Sequence, residues 1–283
     1  MNTFVVAPKA GAAARFRQEL SLKRVLIGVL MAVVGLASVY NTLTFALVVC
    51  IVAMIAAGEF ANLARRANSE VTLPIALIAC GAYPALAYFH LLGGYEPWLL
   101  TAIVIAAFAA SLPAELDRFA GRAAMTVLAC LYIGKMLSYL VLLREAPNGV
   151  TYTLWLVIIV ALTDIAGMIT GLGFGHHQLA PRLSPAKTWE GAVGALAVAT
   201  VVGAGLWWSL QIHGPWWLAI LFPLAVSIAA EGGDLVESAF KRNAQVKDSG
   251  HLIAGHGGVL DRFDSYIFAG VVGYVVLLFA GKL

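Results

Sequence analysis

The sequence is poor in charge, poor in cysteine and free of low-complexity tracts and internal repeats. Only 12% of its 283 residues are charged, whereas 61% are hydrophobic, which is too little polar surface to clothe a soluble domain of this size. The formal net charge is only +3, and its basic residues are scattered through short loops. No basic face or tail is available, so nucleic acid is not an expected partner. The three cysteines, Cys50, Cys80 and Cys130, lie inside apolar runs with no metal-ligand spacing. Their odd number and setting argue against a disulfide framework and leave them as small hydrophobes. No catalytic triad or nucleophile elbow is visible, so nothing in the sequence marks an activated Ser or Cys nucleophile.

What is present is a succession of apolar runs, continuous rather than alternating, which implies helices and not a barrel. A helix needs about 20 apolar residues to cross roughly 30 Å of hydrocarbon. The run from Val25 to Gly58 would be about 51 Å long as one helix, so the Asn41-Thr42 pair at its middle predicts a tight turn between two. Further spans are predicted at 72–90, 97–113, 121–143, 151–171, 190–212, 215–232 and 264–281. The expectation is an all-α, polytopic integral membrane protein of about nine transmembrane helices with a cytoplasmic N-terminus. The positive-inside rule tests the count, because each missed helix would swap the sides of all later loops. It places fifteen of the 18 Lys and Arg residues inside, leaving Arg144 and Lys282 outside and Lys135 within a span.

The run after Lys23 and Arg24 has no small-residue cleavage site and reads as an uncleaved anchor. A short amphipathic helix on the membrane around 13–20 is a further option. The chain then divides into a cytoplasmic segment (1–24), N-terminal transmembrane helices (25–150) and a C-terminal catalytic transmembrane region with cytoplasmic loops (151–283). The predicted outer loops, such as 93–97 and 213–215, hold no reactive constellation, so chemistry is expected on the cytoplasmic face.

The charge of the C-terminal half is concentrated between Glu231 and Ser265. If the segment after Gly233 is helical, Asp234, Glu237 or Ser238, and Lys241 share one face. Mg²⁺ prefers one or two carboxylates plus substrate phosphates, and Asp234, Asp248, Asp261 and Asp264 are candidates. Lys241, Arg242, Lys247 and Arg262 suit a polyphosphate. The turn Gly255-His256-Gly257-Gly258 lets backbone N–H groups approach an anion. Residue by residue, a solvated cytoplasmic loop is the competing reading. Upstream, Ser184-Pro185 reads as a helix N-cap and first turn, making an anion site with Lys187. Asp164 lies about 10 Å inside a span by helix rise, where a carboxylate is expected to be paired or functional. Glu59 has no assigned role, and Lys135 suits a lipid phosphate or a buried carboxylate, with snorkelling as the alternative.

The string S-x-F-K-R-x4-K-D-x-G-x2-I-x2-H-G-G-x2-D-R-x-D, Ser238 to Asp264, resembles the signature of the phosphatidate cytidylyltransferase (CDP-diacylglycerol synthase) family. LSPAKTWEG, Leu183 to Gly191, resembles its SPxKTxEG motif. The likeness covers 151–283, and the first half only through its hydrophobic pattern. Ala254 stands where the family usually has Pro, Asp164-Ile165-Ala166-Gly167-Met168 where it has an Asp-Ser-Gly-Ala-Tyr-like stretch, and Leu172 where a basic residue is common. These departures mark a divergent member.

The resemblance implies cytidylyl transfer from CTP to phosphatidate, giving CDP-diacylglycerol and pyrophosphate in phospholipid biosynthesis. It also implies Mg²⁺ or another divalent cation, with a second, monovalent cation as an option. By the same likeness Asp234 and Asp261 are metal ligands, and they form the catalytic set with Lys241, Asp248 and His256. Asp164, Ser184, Lys187, Ser238, Arg242, Lys247, Gly257, Gly258, Arg262 and Asp264 bind substrate. Expected partners are membrane lipid and a second copy in a homodimer, and the expected location is the inner (plasma) membrane. A CTP-dependent lipid-alcohol kinase is the nearest rival. An ion-coupled transporter is the alternative from another class.

Overall fold

The computed structural model describes residues 22–250, 252 and 257–283. The amphipathic helix expected around 13–20, together with Lys9, Arg15, Arg17 and His256, lies outside the described residues. Nine continuous helical segments run through them. They are α1 (Leu22–Ser38), α2 (Thr42–Arg66), α3 (Leu73–Tyr88), α4 (Leu92–Ser111), α5 (Leu116–Glu145), α6 (Gly149–Phe174), α7 (Trp189–Ser209), α8 (Leu218–Asn243) and α9 (Leu260–Phe279). Seven are long and apolar enough to cross a membrane, whereas α1 and α3 are shorter apolar helices. The architecture is that of an all-α membrane protein. Among the described residues, an antiparallel hairpin departs from it between α6 and α7, formed by β1 (Gln178–Ala180) and β2 (Ser184–Thr188), in which Gln178 faces Thr188 and Ala180 faces Ser184.

The predicted break at Asn41 is present, and its cause is capping. Asn41 Oδ1 accepts from the Thr44 amide at 2.9 Å, satisfying one of the free donors at the start of α2. Two helices then run past their apolar stretches. Helix α2 continues from Gly58 to Arg66, and α8 from Gly232 to Asn243, so much of the region read as a loop after Gly233 is helix. A helix keeps satisfying its own backbone at the membrane edge, so the end of a hydrophobic run does not end the helix.

Small residues such as Ala53, Ala56, Ala57, Ala76 and Ala79 are buried among large ones such as Phe60 and Trp155, while other large apolar side chains such as Ile78, Leu116, Val201 and Phe279 face outward. The buried alanines allow close backbone packing, and the outward apolar surface suits a lipid solvent. Within the C-terminal half, Trp155 stacks on Phe222 at 4.1 Å between ring centroids while its Nε1 donates to the Gly203 carbonyl at 2.9 Å. Thr163 and Ser227 share a buried 2.7 Å hydrogen bond. These contacts lock α6, α7 and α8 together beneath the charged residues.

The unassigned Lys135 finds a carboxylate: it ends a π-helical segment of α5 (Cys130–Lys135) and pairs with Glu96 of α4. Arg144 is buried and donates to the Val39 carbonyl.

Candidate active site

Helix α8 carries Glu231, Asp234, Glu237, Ser238 and Lys241 at three- and four-residue spacings, which puts them on one face. Ser238 Oγ donates to Asp234 Oδ1 at 3.3 Å, and Lys241 pairs with Glu237. Strand β2 brings Lys187 against this face, its Nζ 2.6 Å from Glu231 and 2.7 Å from Asp234. Burial alone would lower the Lys187 pKa. The carboxylates of Asp234 and Glu231 outweigh that cost and hold it above its ordinary value. Helix α9 completes the array: Lys241 Nζ lies 2.8 Å from Asp261 Oδ1, and Asp264 is buried one turn further along.

The sequence motifs place these groups in a way their local signals do not suggest. Ser184-Pro185 does not cap a helix; it opens β2, and the cap of α7 is Thr188, whose Oγ1 accepts from the Gly191 amide at 3.1 Å. Glu190 of the same motif clamps the hairpin by accepting from the His176 and His177 amides at 3.1 and 3.2 Å. The strand is what lets Lys187 point at α8. Ser184 stays half-buried on β2, outside the cavity that Lys187 lines.

One residue without an assigned role proves central. Glu59, on the polar extension of α2, is 7% exposed and accepts from the Val259 amide at 3.0 Å, the Leu260 amide at 2.7 Å and Ser249 Oγ at 3.3 Å. It caps α9 from a different helix, where a negative charge also complements the helix dipole. Gly250 and Gly258 pack against this carboxylate so closely that an added Cβ on either would collide with it. Asp261 braces the same segment, accepting from the Ser249 amide at 2.9 Å and the Gly258 amide at 2.7 Å through Oδ2. Gly257 adopts φ +82°, and a Cβ there would sit 2.6 Å from Asp261 Oδ2, so only glycine fits.

Asp234, Glu237 and Asp264 each offer a carboxylate oxygen within 4.8 Å of the other two. Around an ion with oxygens at about 2.1 Å, opposite ligands lie about 4.2 Å apart and adjacent ones about 3.0 Å, so the three oxygens must draw closer to share one. Glu237 is fully buried, and its Oε1 has no hydrogen-bond partner among the described residues. The residues therefore fit a divalent cation. Asp261, expected as a ligand together with Asp234, is held by Lys241 and two backbone amides and lies outside this group of three.

Two cavities flank the array. The first, about 290 Å³, is lined by Asp164, Lys187, Thr188 and Glu231 together with the apolar Met168, Leu172 and Leu179. The charges of Asp234, Lys187, Glu231 and Arg262 all act on Asp164. The second, about 630 Å³, holds Lys247 and Asp248. Arg242 instead ties backbone together, donating to the Leu183 carbonyl at 3.0 Å and the Val246 carbonyl at 3.1 Å.

Buried carboxylates and paired lysines thus gather beside a cavity walled in part by apolar helix residues. The profile of the cytidylyltransferase family matches residues 22–280, nearly the whole chain, and the chain belongs to that family. Among curated relatives, it is 39% identical over 142 residues to a phosphatidate cytidylyltransferase of Bacillus subtilis (strain 168), covering 50% of this chain and 53% of that protein. It is 40% identical over 146 residues to that of Staphylococcus haemolyticus (strain JCSC1435), covering 52% and 55%. The chain thus spans about half the length of the curated relatives it matches.

Proposed function

We propose that the protein transfers a cytidylyl group from CTP to phosphatidate, forming CDP-diacylglycerol and releasing pyrophosphate. A phosphate oxygen of phosphatidate attacks the α-phosphorus of CTP, the bond from that phosphorus to the bridging oxygen breaks, and pyrophosphate leaves. The observation that carries this reading is the convergence of Asp164, Glu231, Asp234, Glu237, Asp261 and Asp264 on two lysines at the edge of apolar helices. That excess of negative charge has no use for anionic substrates unless a cation joins it.

Asp234, Glu237 and Asp264 would hold a divalent cation such as Mg²⁺, which would neutralise phosphate charge when bound. Lys187 and Lys241 keep the carboxylates fixed and present ammonium groups to incoming phosphates. Ile165, Met168, Ile169 and Leu172 are 52%, 52%, 61% and 73% exposed. This apolar flank beside Asp164 supports lateral access for a lipid whose headgroup enters the first cavity while its chains stay in the bilayer. The departures from the family pattern at 165, 168 and 172 all fall on it.

The nine helical segments and the distribution of Lys and Arg support nine crossings, with the N-terminus and the site on the cytoplasmic side of the inner membrane.

Purified protein in mixed micelles with phosphatidate, labelled CTP and Mg²⁺ should put label into lipid, with pyrophosphate released in equal amount. A chelator, or Asp234→Asn in protein that stays folded, should reduce the rate by about 10³-fold, corresponding to several kcal/mol of charge stabilisation. Label-free lipid would overturn the reading; a lipid alcohol phosphorylated by CTP would turn it into a kinase, and gradient-dependent uptake without product into a transporter.

A further inference from the structure

The second cavity is larger than the first, and its arginines take no part in the carboxylate–lysine array. It lies between the last turn of α2 and the segment after α8, lined by Asn62, Leu63, Arg65 and Arg66 on one side and by residues 246–250 on the other. Asn62, Arg65 and Arg66 are spaced i, i+3 and i+4, so one helix face presents all three. They are exposed, as is Lys247 across the cavity.

Neither arginine nor Lys247 has an ion-pair or hydrogen-bond partner among the described residues. The cavity therefore gathers three unneutralised cations around one carboxylate, Asp248. An ordinary basic rim obeying the positive-inside rule needs no concavity. Here the rim encloses about 630 Å³, within the range of roughly 300–1,000 Å³ that holds a drug-sized ligand. The first cavity, at about 290 Å³, has room for a headgroup phosphate but not also for a nucleotide.

The cavity also adjoins the array through its wall. Ser249 forms part of its wall, and the Ser249 amide donates to Asp261, which Lys241 contacts at 2.8 Å.

We infer that this cavity is the seat of a nucleoside triphosphate, with Arg65, Arg66 and Lys247 holding its polyphosphate and the Asn62 amide facing its base. The two cavities then divide the substrates: lipid headgroup on the α6 side, nucleotide on the α2 side. The inference rests on the proposed reaction for the identity of the nucleotide, whereas the polyphosphate site stands on the cavity alone.

The test measures binding without turnover. Wild-type protein in detergent is titrated calorimetrically with inorganic tripolyphosphate, with CTP, and with micelles containing phosphatidate. The double variant Arg65→Gln, Arg66→Gln should bind tripolyphosphate and CTP at least about tenfold more weakly, since one charge-assisted hydrogen bond is worth about that factor. Phosphatidate binding should change less than twofold, and Arg65→Lys with Arg66→Lys should recover part of the loss. Unchanged tripolyphosphate affinity overturns the inference. So does a loss confined to phosphatidate, which would make the cavity a lipid-headgroup site. If the double variant does not fold, Lys247→Gln carries the same comparison. Tripolyphosphate binding that depends on the arginines in a protein that forms no CDP-lipid would uphold the cavity while refuting the reaction.

Discussion

Replacing Glu59 tests whether a residue remote in sequence positions the site. Its carboxylate accepts three hydrogen bonds from the segment that precedes and opens α9, and α9 delivers Asp261 and Asp264. Glu59→Gln keeps the volume but turns one acceptor into a donor aimed at an amide N–H. At least one buried donor then goes unsatisfied, at a cost of about 1–3 kcal/mol, and the loss of charge at the helix N-terminus adds about 0.3–1 kcal/mol. Glu59→Ala orphans both amides and should cost about twice the hydrogen-bond figure. The consequence is local: the first turn of α9 loosens and Asp261 moves relative to Lys241. A displacement near 1 Å is enough to reduce turnover by about 10²-fold. Hydrogen exchange read by mass spectrometry should show loss of protection in residues 257–264 of Glu59→Gln and little change in α6. Turnover should fall with a smaller effect on the KM for phosphatidate, because the first cavity is not touched. Wild-type exchange at the start of α9 together with turnover within twofold of wild type would refute the positioning role.

Two further perturbations follow from the same geometry. Lys187 is held above its ordinary pKa by Asp234 and Glu231, so its contribution is fully present below the unfolded value of 10.5 and is lost only as pH rises past the folded one; a thermal-stability profile should therefore show no Lys187-dependent step between pH 7 and 9, and Lys187→Met should lower stability uniformly there. Gly257→Ala forces a side chain into φ +82° and against Asp261, which should cost about 1–3 kcal/mol and appear as a lower melting midpoint in detergent, whereas Gly232→Ala, with open space at its Cβ, should not.

The helices were legible in the sequence because hydrophobic length is a local property. The nine apolar segments correspond to nine helical segments among the described residues, and the Asn41 cap follows from its own side chain. The shared face of Asp234, Ser238 and Lys241 was equally readable, since a helix converts spacing directly into adjacency. What could not be read were choices decided by a distant partner. Ser184-Pro185 has the composition of a helix start, yet it pairs with 178–180 as a strand, and no window of a few residues contains both sides of that hairpin. Glu237 was visible at the right spacing, but its approach to a second buried carboxylate depends on Asp264 arriving from the next helix.

Glu59 is the extreme case, its partner Leu260 lying 201 residues away. The one available signal was a carboxylate at the end of an apolar run, which costs too much to leave unpaired. That signal announces a partner without naming it. The same logic separates the two acidic residues of α9: Asp261, facing amides and Lys241, braces the segment, while Asp264, three residues on, turns toward α8 and the other carboxylates. Identical chemistry on one helix thus takes two roles, because position relative to α8 decides which oxygens are already engaged.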